Sequence, residues 1–481
     1  MAGTDSPSRM SRDELLLVLV ISLGSFMAGL DATIVNIALP GIAAFFQAPT
    51  VLAAWVLNGY LVVMVSLLLF SARVGDVRGY RPVFLAGFLV FTTGSVLCGL
   101  APSIEYLIAF RMVQAIGGAI ISALGAVMVS RHLGAGVRGS ALGLVAMFAM
   151  LGIALGPVIG GYLVSLLSWR SIFLVNLPVG LAGILFGAAY IPRDRPATPR
   201  GRMDLPGAVL LFFTLGSLVI GLNTLQGGRE LRGAAVLLVS LLALGLFVGR
   251  ERKTPSPLLE LSLFSDRSFT VQNVAVLALQ GVVAGVMLLL PFYLEVVRAI
   301  PTGTSGALLL ALPVGNILSA PIAGRFSDTI GTKRPILAGL LTTVIGLLLL
   351  GMLTPESPIA GVVLYLFLVG AGTGMSFAPL NSAVMGEVPG EARGAASGLL
   401  RTMANLGSTL GVSLTMLIAT AALGPKLAEV TAHLLPPSEL MGAFRTVFLC
   451  GAAVLILVLV LVWTAARDVV PDPSVPDGTI V

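Results

Sequence analysis

Apolar runs of about twenty residues, broken by short charged or turn-forming segments, recur along the whole chain. At 1.5 Å of rise per residue, a helix needs about 20 mostly apolar residues to cross a bilayer. Fourteen stretches fit: 15–40, 51–71, 83–101, 103–129, 140–166, 171–191, 205–227, 233–249, 269–294, 306–324, 335–354, 358–381, 399–422 and 444–466. The seventh and eighth have unequal margins, because Asp204 and Arg229 bracket 24 uncharged residues but only 17 lie between Arg232 and Arg250. The run after Met1–Glu14 is too long for the apolar core of a signal peptide and lacks a cleavage site, so it reads as the first span. With the N-terminus inside, 21 of the 28 Lys and Arg fall on inner segments, six on outer ones, and Arg111 lies within a span. That asymmetry follows the positive-inside rule and puts both termini in the cytoplasm. Removing an adjacent pair of spans preserves the alternation, so the count alone admits twelve spans as well as fourteen.

Composition agrees with this pattern. Of 481 residues, 57% are apolar and 10% charged, against about 45–50% and about 25% in soluble proteins. Mean hydropathy is +1.02. A soluble enzyme, a nucleic-acid binder and a disordered chain are excluded. The net charge of +6 follows from the inner Lys and Arg and needs no nucleic-acid partner. Cys98 and Cys450 make no disulfide framework, and His132 and His433 supply no typical metal site. No G-x4-G-K-[ST] or H-E-x-x-H motif occurs, and Gly370–Gly374 lies inside an apolar span where a nucleotide site is implausible. No catalytic residue, metal or cofactor is expected. The expected partners are the lipid bilayer, a small-molecule substrate and protons, with the protein working as a monomer and a periplasmic adaptor left open.

One segment is duplicated. Ser71–Pro82 recurs as Ala323–Pro335, so that Arg73, Asp76, Gly79 and Arg81 align with Arg325, Asp328, Gly331 and Lys333. Both copies follow a span and face the inner side. Related halves around a central binding region are a recurrent transporter plan. The spacing reads as six spans, an inserted pair, then six more.

These residues also carry a resemblance. The duplicated loops resemble motif A of the major facilitator superfamily, with Ala72 in place of the usual first Gly. Gly143, Gly152, Gly156, Pro157, Gly160 and Gly161 reproduce the spacing of motif C of its antiporters. Leu30–Pro40 is similar to motif D1, and the run from Arg111 to Gly118 to motif B, with Ala115 for a usual Gly. Trp169-Arg170, Phe173 and Asn176–Gly180 resemble the fourteen-span drug:proton antiporters of the EmrB/QacA type. The resemblance runs from about Gly29 to Gly411. It implies an all-α membrane protein of fourteen transmembrane helices. Two six-helix bundles, 15–191 and 251–466, would flank a linker, 192–250, that carries two extra helices. Residues 1–14 and 467–481 are cytoplasmic tails. It also implies a multi-pass transporter of the cell membrane, working by alternating access on a proton gradient.

The motifs have physical readings of their own. Gly152, Gly156 and Gly160 repeat every four residues and share a helix face, where small residues admit a second backbone. Pro157 removes a backbone donor and favours a bend. Such a contact seals the two halves or is ordinary close packing. Gly143, nine residues before Gly152, falls on the opposite face and must serve another contact. Asp76 and Asp328 are expected to precede helices and to cap them or pair with a neighbour, as latches for one conformation. The alternative is a pair of solvated loops.

Ionisable residues deep within spans are few: Asp31 and Arg111, with Arg401 in a first turn. Charges at membrane depth cost about 2.5–3.5 kcal/mol each on insertion scales and mark ion or substrate paths. Counted along their helices, Asp31 and Arg111 lie roughly 12–14 Å below the outer ends, so the two can meet. A carboxylate held between apolar neighbours and a guanidinium can exchange a proton when a helix moves. Asp31, Arg111 and Gln114 are therefore the expected proton-coupling residues, and a static ion pair is the alternative. Asn36, Trp55, Asn58, Tyr60, Gln280, Tyr293 and Glu295 are candidate cavity residues, with Asn381 and Asn405 in the second half. Glu295 stands where the family usually has Gln, three residues before Arg298; an interfacial place beside Arg298 is the expectation, and a second titratable or cation-attracting group is the alternative. Export of small hydrophobic or cationic drugs is the expected function. Uptake of a small solute by symport or facilitation is the alternative.

Overall fold

The computed structural model describes residues 10–194, 204–225, 230–254, 261–388, 393–423 and 436–468. Among the described residues every regular element is helical. In hydrocarbon an unpaired backbone N–H or C=O costs several kcal/mol, and a helix pairs them all internally.

The first half holds α1 (Arg12–Phe45), the short α2 (Thr50–Ala53) leading into α3 (Trp55–Arg78), α4 (Tyr80–Gly99), α5 (Ile104–His132), α6 (Ala135–Leu166), and the short α7 (Ser171–Leu174) leading into α8 (Asn176–Tyr190). Then come α9 (Leu205–Thr224) and α10 (Glu230–Glu251). The second half holds α11 (Arg267–Phe292), continued by a π-helical turn Tyr293–Val297, then α12 (Thr302–Leu309) running into α13 (Ala311–Ile330). It ends with α14 (Lys333–Leu350), α15 (Ile359–Gly386), α16 (Arg393–Leu423) and α17 (Pro437–Ala465). Thirteen helices among the described residues are long and apolar enough to cross a membrane; the apolar part of α9, Pro206–Leu222, is shorter.

Several ends lie beyond the expected ones. The chain does not leave the helix at Pro40, which sits inside α1, five residues before Phe45. At the other end of α1, Ser11 and Glu14 form a capping box: Glu14 N–H donates to Ser11 Oγ at 3.3 Å, and Ser11 N–H to Glu14 Oε2 at 2.8 Å.

The halves repeat each other's packing. In the first, α1 packs on α6 and α8, and α4 and α3 both pack on α5. In the second, α11 packs on α16 and α17, and α14 and α13 both pack on α15. Between the halves run contacts of α1 with α11, α6 with α12, and α3 with α16. The pair α9–α10 stands beside this seam, with Leu211, Leu215 and Val219 packed against Val62 and Val65 of α3 and Leu406 of α16. The outside is apolar, as lipid requires: Leu185, Leu241, Leu246 and Leu318 are among the exposed residues.

Candidate functional site

The deepest polar cluster lies inside the first half. Asp31 of α1 and Arg111 of α5 are 0% and 1% exposed, and Arg111 Nη1 donates to Asp31 Oδ2 at 2.7 Å. The same Nη1 donates to Gln114 Oε1 at 2.7 Å, and Arg111 Nε to the Val56 carbonyl at 3.3 Å. Gln114 Nε2 donates to Asp31 Oδ1 at 2.9 Å and to Ser95 Oγ at 3.1 Å. Asn176 Nδ2 donates to Asp31 Oδ1 at 3.4 Å and to Ser95 Oγ at 3.0 Å, while the Ser95 hydroxyl donates to the Phe173 carbonyl at 2.8 Å. The guanidinium lies 4.2 Å from the centre of the Tyr60 ring, a cation–π contact. So α5 and α8 both reach the one carboxylate of α1, with Ser95 of α4 holding Gln114 and Asn176 behind it, and every partner of that carboxylate is a donor.

Spacing explains the geometry. Arg111 and Gln114 are three apart on α5 and share a face. Ser95 and Asn176 complete the cluster and were not among the expected residues. Asn176 belongs to the Trp169–Gly180 run, but only the α4–α8 contact assigns it this partner. The Asn176 Oδ1 and Tyr60 hydroxyl are buried without partners.

Motif C lies on the seam. Added side chains at Gly152, Gly156 and Gly160 would strike Phe26 to Ile37 of α1, and one on Gly161 would come within 2.6 Å of the Thr302 carbonyl. A side chain on Gly306 of α12 would strike the Pro157 carbonyl. One face of α6 therefore packs on α1 while its neighbour closes the seam against α12. Gly143 does not take up a second contact: nothing lies within 4 Å of where its side chain would be. Its place on the outward side of α6 leaves it no neighbouring helix.

At the end that carries both termini, Asp76 does not precede a helix. It sits in the last turn of α3, accepts a hydrogen bond from the Tyr80 hydroxyl and lies 3.5 Å from Arg73. The start of α4 is capped by Asp194, which follows α8 and accepts from the N–H groups of Tyr80 at 2.5 Å and Arg81 at 3.2 Å. Asp468, which follows α17, accepts from Lys333 N–H at 3.0 Å at the start of α14. Gly79 and Gly331 turn the chain there with φ of 91° and 84°, a region that side-chain-bearing residues avoid. The duplicated signal was Arg193-Asp194 and Arg467-Asp468, each just beyond the last helix of its half. The side chain of Asp328 lies outside the described residues.

Of the seven cavity candidates, Gln280 alone lines the seam cavity of about 180 Å³. Its walls come from both halves: Thr33 of α1, Met150, Ile153 and Pro157 of α6, and Asn316, Thr373 and Phe377 of α13 and α15. Asn58 and Tyr60 are buried in helix contacts, because α3 turns that face inward. Trp55 packs beside α9. Tyr293 is buried at the far end and donates to the Thr354 carbonyl at 2.9 Å. Asn36 is half-buried, away from the cavity lining. Glu295 does not pair with Arg298. It accepts from the Thr302 hydroxyl at 3.2 Å, while Arg298 donates to the Ser357 carbonyl, because the π-helical turn breaks the ordinary i,i+3 alignment.

The family model of the Major Facilitator Superfamily matches residues 21–412 and 299–480. The chain is 32% identical over 402 residues to "Riboflavin transporter RibZ" of Clostridioides difficile (strain 630), covering 84% of this chain and 87% of that protein. It is 33% identical over 405 residues to "Multidrug resistance protein Stp" of Mycobacterium tuberculosis, covering 84% and 75%. It is 29% identical over 411 residues to the "Tetracenomycin C resistance and export protein" of Streptomyces glaucescens, covering 85% and 76%. The fold matches a bacterial homologue of the human lysosomal transporter Spinster with a TM-score of 0.70 at 16% identity, covering 96% and 100%.

Proposed function

The chain belongs to the Major Facilitator Superfamily, and from that premise we propose that it exports small hydrophobic or cationic compounds across the cell membrane in exchange for protons. The observation that carries the proton role is the buried Asp31–Arg111–Gln114 cluster. No pocket-lining role accounts for a carboxylate that is 0% exposed and a guanidinium that is 1% exposed, and such groups at membrane depth mark ion paths. When α1 or α5 shifts, Arg111 parts from Oδ2 and a proton takes its place. The same shift moves Thr33, two residues along α1, in the wall of the seam cavity.

In this reading the chain crosses the membrane fourteen times with both termini in the cytoplasm, in line with its Lys and Arg distribution. The two six-helix halves rock about the seam. The α6–α12 contact closes the far side, and Asn381, Ser382 and Arg401 stand exposed toward the cytoplasmic side. The mostly apolar cavity, with Thr33, Gln280, Asn316 and Thr373 as its polar points, suits lipophilic cargo. Relatives named for multidrug resistance and tetracenomycin C export favour export. The similarity to a riboflavin transporter favours the second reading, uptake of a small solute.

The deciding experiment is a proteoliposome assay with a panel of lipophilic dyes under an imposed pH gradient. Dye movement opposite to the protons, lost in Asp31→Asn, supports export by exchange. Movement with the protons supports uptake, and unimpaired gradient-driven transport by Asp31→Asn ends the proton role.

A further inference from the structure

The proton cluster lies wholly in the first half, yet the second half holds a carboxyl that it does not use. Glu295 sits in the π-helical turn at the far end of α11, closed by Arg298 N–H donating to the Tyr293 carbonyl five residues back at 3.0 Å. Ala299, just beyond, has a φ of 52°. π turns and left-handed residues other than glycine are uncommon and gather at functional sites. Glu295 Oε2 accepts from the Thr302 hydroxyl, while its Oε1 is buried without a partner. Arg298 is engaged by Ser357. The other charged groups on adjoining elements are Glu439 and Arg445 of α17 and Glu356 before α15, and among the described residues none forms an ion pair with Glu295.

Thr302 has a second task. It opens α12, and its carbonyl is the group against which Gly161 of α6 closes the seam. One residue thus joins the carboxyl to the far-side closure.

We propose that Glu295 is a second proton-binding residue and that Thr302 transmits its charge state to the α6–α12 closure. The proposal rests on the alternating-access reading above, but not on Asp31. The proton comes from far-side water and adds to Oε1; no other bond is made or broken. An ionised carboxylate accepts a stronger hydrogen bond than a neutral acid. Ionised Glu295 therefore holds Thr302 and the closure in place, and protonation loosens both. The difference between charged and neutral acceptors corresponds to about a five-fold change in the closed-to-open ratio.

The test is a distance measurement by pulsed electron spin resonance on the full chain in lipid nanodiscs. Labels go on Leu166→Cys and Thr304→Cys, exposed positions on α6 and α12, with Cys98→Ser and Cys450→Ser removing the native thiols. In this parent the closed population rises from acid to mildly alkaline pH. Glu295→Gln, which keeps an acceptor for Thr302 but no charge, holds it at the acid value at every pH. Thr302→Val does the same, and Asp31→Asn leaves the shift intact. A parent that does not respond to pH overturns the proposal. So do Glu295→Gln and Thr302→Val variants that respond as the parent does, or a response abolished by Asp31→Asn. Failure of the export reading shows separately, as absent gradient-driven transport by the unlabelled protein, and does not alter this distance.

Discussion

Replacing Asp31 with Asn should destabilise the protein as well as uncouple it, and the two effects separate. All the hydrogen bonds that reach the carboxylate come from donors: Arg111 at 2.7 Å, Gln114 at 2.9 Å and Asn176 at 3.4 Å. An amide offers one acceptor oxygen, so its NH2 is set against a donor, and the 1%-exposed guanidinium loses its counter-charge. Breaking a buried ion pair from one side costs about 3–5 kcal/mol. Spread over a chain of 481 residues, that corresponds to a fall of roughly 3–5 °C in the unfolding midpoint. Replacing the pair with apolar groups is often close to neutral. Asp31→Asn with Arg111→Met should therefore recover most of the loss while remaining unable to couple protons. The assay is thermal unfolding of the full chain in detergent at one fixed scan rate, run as a double-mutant cycle. A double variant no more stable than Asp31→Asn refutes the view that the loss comes from an uncompensated Arg111.

Further outcomes follow from other contacts. Gly306→Leu should abolish transport without loss of expression, since a side chain there strikes the Pro157 carbonyl across the α6–α12 contact; substrate flux against protein level checks this. Gly331→Ala should cost more stability than Gly79→Ala, because both have positive φ, at about 1–3 kcal/mol of strain, but only at Gly331 does the new methyl collide with Asp468. Unfolding midpoints of the two variants rank them. Glu387, just beyond α15, is held above the usual carboxylate range by burial, with the Asp266 charge adding to it and the hydrogen bonds from Ser268 and Gln272 opposing. A carboxyl so raised contributes stability that is full below its unfolded value and falls as pH rises through the folded one. Glu387→Gln should therefore stabilise the protein at neutral pH more than in acid, and thermal unfolding at both pH values shows it.

Much of this was legible because the solvent is a bilayer. Lipid makes every span a helix of near-fixed length, so charge alone located most of the elements, and the rarity of charge within spans singled out Asp31 and Arg111. Matched depth then brought them together. Pro40 misled because a proline reads as a helix end, yet at membrane depth neighbouring helices tolerate it within the helix. Asp76 misled for a related reason: the true caps, Asp194 and Asp468, are supplied by chain more than a hundred residues away. Polar residues such as Asn58 and Tyr60 looked like cavity linings because a helix wheel shows which residues share a face but not which neighbour that face meets. Ser95 and Asn176 became visible only when α4 and α8 were placed around α5.

The position of α9 also decides how a compound dissolved in the lipid meets this protein. The seam has two flanks, one between α3 and α16 and one between α6 and α13. On the first, Leu211, Leu215 and Val219 of α9 stand as a curtain against Val62, Val65 and Leu406. On the second, Met150 and Ile317 line the cavity and are still 41% and 43% exposed. The protein is thus one-sided toward the membrane plane. Among the described residues, the flank beside α6 is the one on which the walls of the seam cavity themselves stand open to the membrane plane.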